Sequence, residues 1–136
     1  MQKAMLPRLV VAAAVLAVAI GTTMVRADEA ATRTADRLTA GQDTLGKSIF
    51  MGKGTCFACH GPEGKGTPLA PDLTDKEWLN ITGELKAESI AELITKGVPT
   101  PKKYPTPMLP KAGVALTDAE VQAVARYVFS LSATAK

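Results

Sequence analysis

The chain has 136 residues, and its 16 Lys and Arg against 13 Asp and Glu give a formal net charge of +3. That excess comes from Lys3, Arg8 and Arg26, so residues 28–136 carry 13 basic and 13 acidic side chains. Because residues 28–136 are nearly neutral, nucleic-acid binding through an excess of positive charge is not expected. These residues are also numerous enough to form one domain with a modest core.

The first 27 residues have the pattern of a secretory signal peptide. Lys3 and Arg8 precede the apolar run LVVAAAVLAVAIG at 9–21, and VRA at 25–27 ends in a small residue at the expected cleavage point. The apolar run is shorter than the roughly 20 residues of a membrane-spanning helix, and no twin-arginine pair is present. We therefore predict export by the general route and cleavage after residue 27, with an uncleaved membrane anchor as the alternative.

Residues 28–42, DEAATRTADRLTAGQ, are polar and rich in alanine, which predicts a flexible lead-in to a folded domain at 43–136. The domain lacks sustained alternation of apolar and polar residues, so strands are not expected. A first helix is predicted over Asp43–Lys53. Gly46 lies one turn before Phe50, and a glycine inside a helix indicates that another helix packs closely there.

The middle of the domain begins with a loop at 61–73, which is punctuated by glycine and proline. A short helix, TDKEWLN at 74–80, is predicted to follow. Thr74 and Glu77 have the spacing of a capping box, in which each side chain bonds a backbone N–H near the other.

Two further helices are predicted. The first covers Ala87–Lys96 and ends at Gly97. The last begins at a second capping box, formed by Thr117 and Glu120, and everything after Ser132 is expected to fray. Its apolar face consists of Val121, Val124, Ala125 and Val128. The predicted fold is all-α, with short helices and long loops, and such a domain buries little without an apolar cofactor.

The segment CFACH at 56–60 carries the clearest chemistry. The Cys-x-x-Cys-His spacing is typical of c-type haem attachment, because Cys56 and Cys59 can bond two vinyl groups of one porphyrin while His60 is held beneath the iron. A thioredoxin-like pair would need a βαβ context, and a structural zinc site needs four ligands. The chain holds two cysteines and one histidine. One covalent haem c is therefore predicted, in a protein exported to the periplasm.

The sixth iron ligand must be something other than histidine, since His60 is the only one. A methionine thioether is the obvious alternative, and His/Met ligation raises the reduction potential. Beyond the leader, Met51 lies near Cys56 in sequence and is interpreted as core packing. Met108 lies in VPTPKKYPTPMLP at 98–110, where five prolines stiffen the chain. Met108 is the predicted ligand, and a proline-rich surface linker is the alternative for this segment.

With these motifs the chain resembles the class I cytochromes c, the monohaem electron carriers, over about 43–132. The resemblance implies that the first and last helices cross, with Gly46 and Phe50 against Tyr127. The segments LTDKEWL, and PM followed by LTDAEVQAVARYVFSL, are most similar to bacterial periplasmic or oxidase-associated members. PMLP stands where the family more commonly has a Met-Pro pair.

The resemblance also implies two further contacts with the haem. The carbonyl of Pro71 is expected to accept a hydrogen bond from His60, which fixes the ring and its tautomer. Leu73 is expected to pack on the haem.

The predicted function is electron transfer in the periplasm by a protein that is not itself an enzyme, with redox partner proteins that dock weakly. One alternative is a haem subunit of a larger dehydrogenase or oxidase, and another is a gas-sensing or peroxidatic haem from which Met108 dissociates. Membrane association is expected only if the leader is uncleaved. Five loop lysines are candidates for docking an acidic partner, with a solvated surface as the alternative: Lys53, Lys65, Lys102, Lys103 and Lys111.

Overall fold

The computed structural model describes residues 29–37 and 39–133. The predicted signal peptide at 1–27 and the end of the tail lie outside these residues. The chain divides into two compact units, Met1–Thr39 and Ala40–Lys136. Among the described residues, no helix is both long enough and apolar enough to cross a membrane.

In the first unit, residues 29–37 are helical and exposed. This part of the predicted flexible lead-in is therefore helical where it is described. Its alanines favour the helix, and Thr34 adds a local bond by donating its hydroxyl to the carbonyl of Ala30 at 2.9 Å.

The second unit is built from helices and loops, which confirms the all-α prediction. We label the helices α1 (39–51, of which 40–51 lie in this unit), α2 (Phe57–His60), α3 (Ala87–Lys96) and α4 (Asp118–Ala133), and a 3-10 turn occupies Pro110–Gly113. In the described part of the chain, the only β pairing is two isolated bridges, Thr67 with Ala70 and Val98 with Met108.

Helices α3 and α4 form where the sequence predicts them. Gly97 ends α3 and donates its N–H to the carbonyl of Leu93 at 2.7 Å. At the start of α4 the capping box is complete. The N–H of Thr117 donates to Glu120 Oε2 at 2.8 Å, and the N–H of Glu120 donates to Thr117 Oγ1 at 3.2 Å.

The prediction of a helix at 74–80 is wrong, because these residues form bends and a turn. The predicted capping box at Thr74 and Glu77 is replaced by aspartate turns. Asp72 Oδ1 accepts the N–H of Thr74 at 2.6 Å, and Asp75 Oδ1 accepts the N–H of Glu77 at 2.8 Å. An aspartate that bonds the backbone two residues later offers an alternative to the helix.

The crossing of α1 and α4 positions the core. A Cβ added at Gly46 would lie 2.1 Å from the carbonyl oxygen of Ala123 and 2.7 Å from Tyr127 Cβ. Phe50 meets the Tyr127 ring edge-on, with centroids 5.6 Å apart. The close approach inferred from Gly46 is therefore present, and it buries Phe50, Val124 and Ala125 to within 1% of full burial.

Candidate haem-binding site

A cleft of about 860 Å³, counting the part open to solvent, lies within the second unit. Side chains from α1, α3, α4 and the loops line it, and most are apolar. Its apolar walls include Phe50, Leu73, Ile90, Ile94, Val98 and Val128.

The CFACH motif forms one turn of helix at the edge of this cleft. The N–H of His60 donates to the carbonyl of Cys56 at 3.0 Å, which places both residues on the same side of the turn. Both line the cleft, and Cys59 is half-buried beside them. The two thiols are not bonded to each other, and burial raises the pKa of the Cys56 thiol.

The imidazole of His60 is oriented by the backbone of the following loop. Its Nδ1 lies 3.0 Å from the carbonyl oxygen of Pro71. A carbonyl only accepts hydrogen bonds, so Nδ1 carries the proton and Nε2 keeps its lone pair for a metal. Burial lowers the pKa of His60, although the bond to Pro71 opposes that shift, and the net effect favours the neutral form of the ring, which is the form that can ligate a metal.

The loop that carries Pro71 is held against α2 by hydrogen bonds. Gly66 donates its N–H to the carbonyl of His60 at 2.8 Å, and the hydroxyl of Thr67 donates to the carbonyl of Cys59 at 2.6 Å. Leu73 donates its N–H to the carbonyl of Gly64 at 2.7 Å, and its buried side chain lines the cleft. Pro71 and Leu73 therefore both lie at the site, as the resemblance implies.

Met108 reaches the same cleft from a distant part of the chain. It is half-buried, lines the cleft and pairs with Val98 through two backbone hydrogen bonds of 2.7 and 3.0 Å. Met51 is 38% exposed and is not among the residues that line the cleft. The structure thus brings together Cys56, His60 and Met108, and haem attachment by Cys56 and iron ligation by His60 and Met108 remain predictions.

Trp78 is a site residue that the sequence did not reveal. It lines the cleft, and its indole Nε1 is buried with no hydrogen-bond partner. An indole N–H in that position favours a bound group that presents an acceptor to it. A mostly apolar cleft with a buried indole donor, a thiol in its wall, a second thiol nearby and a neutral histidine fits a haem that carries carboxylates.

The five loop lysines already have partners within the chain. Lys102 donates to the carbonyl of Leu79 at 2.6 Å, and the other four pair with carboxylates at distances of 2.5 to 3.4 Å. The pairs are Lys53–Glu120, Lys65–Glu63, Lys103–Glu77 and Lys111–Asp118. This pairing weakens the argument for a ring of free positive charge around the cleft.

Comparison with known proteins agrees with this site. The family profile for cytochrome c matches residues 44–132. The CcoP subunit of a cbb3-type cytochrome c oxidase from Rubrivivax gelatinosus is 35% identical over 92 residues, which cover 66% of this chain and 26% of that relative's length. No solved structure matches the chain. The chain belongs to the cytochrome c family, whose members bind a covalent c-type haem.

Proposed function

We propose that this protein is a carrier of single electrons, and not itself an enzyme, with Cys56 and Cys59 attached to the haem and His60 and Met108 as its axial ligands. The observation that supports this most directly is the His60–Pro71 bond at 3.0 Å, which leaves Nε2 for the iron, in the cleft that Met108 also lines. When bound, the haem supplies an iron that changes between the ferric and ferrous states.

Two protein ligands leave no open position on the iron for a substrate. His60 is held by the backbone of its own loop, and Met108 is held by its pairing with Val98. Ligands held in this way change little between oxidation states, as an electron carrier requires. The gas-sensing and peroxidatic alternatives need Met108 to dissociate readily, and the paired backbone at Met108 opposes that.

We further propose that the protein acts in the periplasm, after export by the leader at 1–27, and that it docks to redox partners at the haem edge. Four of the five candidate docking lysines are paired with carboxylates of the same chain. A lysine paired with a carboxylate of the same chain contributes little net positive charge with which to steer an acidic partner. We therefore expect weak dependence of partner association on ionic strength.

A second candidate is a haem subunit of a larger oxidase. The similarity to CcoP favours it, although the match covers only 26% of that subunit. Purification from the native host in mild detergent separates the two candidates. A carrier is recovered by itself, whereas a subunit is recovered with stoichiometric membrane partners.

The ligand assignment is tested by optical spectra of the haem-loaded protein, with Met108→Ala and Met51→Ala as a matched pair. The parent and Met51→Ala are expected to show a weak far-red ferric band from thioether ligation and no shift of the ferrous spectrum with carbon monoxide. Met108→Ala should lose the band, bind carbon monoxide and have a lower reduction potential. Retention of the parent spectrum by Met108→Ala would overturn the assignment, and a parent that binds carbon monoxide readily would favour a sensor.

A further inference from the structure

The backbone at Met108 is held in place by hydrogen bonds, which act in addition to the stiffening by the prolines of this segment. The N–H of Val98 donates to the carbonyl of Met108 at 2.7 Å, and the N–H of Met108 donates to the carbonyl of Val98 at 3.0 Å. These two bonds close the loop that contains residues 99–107 and fix the backbone of Met108 next to the end of α3. The prolines restrict the conformations of this loop, whereas the pairing with Val98 fixes the position of Met108 at its end.

The approach of Met108 to α3 requires the absence of a side chain at Gly97. A Cβ added there would lie 2.4 Å from the carbonyl oxygen of Met108, 2.7 Å from the nitrogen of Pro110 and 2.9 Å from the carbonyl carbon of Leu109. All three are backbone atoms, so they cannot rotate away as the end of a side chain could. Gly97 also has a φ of 70°, a conformation that L side chains rarely adopt.

The chain beyond Met108 is held as well, so a displacement at Gly97 cannot be absorbed there. Ala112 donates its N–H to the carbonyl of Leu109 at 3.0 Å. The ammonium of Lys111 donates to the carbonyl of Leu116 at 3.0 Å and pairs with Asp118 at 3.1 Å, at the start of α4. The backbone of Met108 is therefore fixed on one side by α3 and on the other by the first turn of α4.

We propose that Gly97 is a positioning residue for the Met108 thioether. The residue that ends α3 also provides the space in which Met108 pairs with Val98, and a side chain of any size at 97 moves the thioether away from the iron. This inference rests on the proposed ligation by Met108. It concerns which residue places the ligand, rather than which residue is the ligand.

The experiment compares Gly97→Ala with Gly83→Ala in the haem-loaded protein. Gly83 also has positive φ, 98°, but a Cβ added there meets nothing within 4 Å. Both variants carry backbone strain, and only Gly97→Ala meets the backbone of residues 108–110. We expect Gly97→Ala to lose the far-red ferric band and to bind carbon monoxide in the ferrous state, while Gly83→Ala keeps the parent spectrum.

The outcomes separate this inference from the ligand assignment. A parent without the far-red band contradicts ligation by Met108, and this inference falls with it. A parent with the band and a Gly97→Ala variant that retains it overturn the positioning role alone. Loss of the band in both variants also overturns it, because strain rather than contact with Met108 would then be the cause.

If Gly97→Ala accumulates too little haem-loaded protein, amide hydrogen exchange of the reduced parent gives the second test. The amides of Val98 and Met108 are expected to exchange slowly, like amides within α3. Thr100, an exposed residue of the same loop that does not line the cleft, serves as the fast reference. Exchange of the Met108 amide at the rate of Thr100 would show that the pairing does not hold the ligand, and would overturn the inference.

Discussion

The two sides of the haem cleft are built in different ways. On the His60 side, the motif, the loop and the bond to Pro71 all come from residues 56–73, and each hydrogen bond joins residues that are near in sequence. On the Met108 side, the segment that contains Met108 is held by the end of α3 and the start of α4. One side is a local structure, and the other exists only when the domain is folded.

This difference predicts unequal sensitivity to perturbation. Bonds between neighbours in sequence have a small entropy of loop closure, so they re-form readily after local opening. The Met108 segment depends on contacts between separate elements and has no regular helix between residues 97 and 109. We therefore expect the methionine side to open before the histidine side, and the following changes test that expectation in order of decreasing effect.

The largest effect is expected from removal of His60. His60→Gly should abolish the normal haem spectrum, because the other side offers only a weak thioether. Free imidazole should restore a six-coordinate spectrum, since the carbonyl of Pro71 remains to orient a ring at the same place. The measurement is an optical titration with imidazole. A His60→Gly variant with the parent spectrum in the absence of imidazole would show that His60 is not the ligand.

The next largest effect is expected at the crossing of α1 and α4, where a substitution should lower the stability of the protein. Gly46→Ala places a methyl group 2.1 Å from the carbonyl oxygen of Ala123, and overpacking of this kind destabilises by about 2–3 kcal/mol. Chemical denaturation of the haem-loaded protein measures the loss. Gly41→Ala is the control, because a Cβ there meets nothing within 4 Å and alanine favours the helix by about 0.5–1 kcal/mol. Equal stability of the two variants would mean that α1 and α4 are less close than described.

A smaller and pH-dependent effect is expected at Glu120, which joins the first turn of α4 to Lys53, just after α1. Hydrogen bonds from Lys53 and from the N–H of Thr117 lower the pKa of Glu120 from 4.5 to about 2. Because the folded-state pKa is the lower one, the stability that Glu120 contributes is present above about pH 4.5 and is lost as the pH falls towards 2. Glu120→Gln should therefore be less stable than the parent at pH 7, with a difference that shrinks below pH 4.5.

Denaturation midpoints between pH 7 and 3 measure this difference. Glu88→Gln is a matched change in the first turn of α3 that removes a carboxylate but no bond to Lys53. A Glu120→Gln variant whose deficit stays constant with pH would rule out the carboxylate as its origin.

The smallest effect is expected in the turn after Met108. Ala112 has a φ of 57°, which costs a non-glycine residue about 1–2 kcal/mol. Ala112→Gly removes this strain at an entropic cost of about 0.5–1 kcal/mol, so a net gain of about 0.5 kcal/mol is expected. Ala115→Gly, where the backbone is not left-handed, should lose stability instead. If both variants lose stability equally, the turn is not strained.

The parts of the molecule that could be predicted depend on residues that lie close together in the sequence. The Thr117–Glu120 capping box and α3 each depend on residues within one or two helical turns, and each forms as expected. Gly46 could be interpreted because a glycine inside a helix needs a reason in tertiary packing. The haem cleft itself follows from the motif and the family.

The rest could not be predicted because it depends on competing or distant contacts. The 74–80 segment has a capping-box spacing, but Asp72 and Asp75 bond the same backbone groups first. Gly97 has an ordinary position at the end of a helix, and its second role needs the backbone of Met108 beside it. Trp78 gives no signal in sequence, since burial of one indole nitrogen is a property of the folded cleft.

The contact between Gly46 and Ala123 also orders events during synthesis. A growing chain exposes Cys56, Cys59 and His60 long before α4 is complete. Until then α1 has no partner for its glycine face, and Phe50 has no Tyr127 against which to pack. A chain that ends before α4 therefore contains the whole attachment motif but lacks the contact that buries Phe50 and the wall of the cleft that Val128 provides.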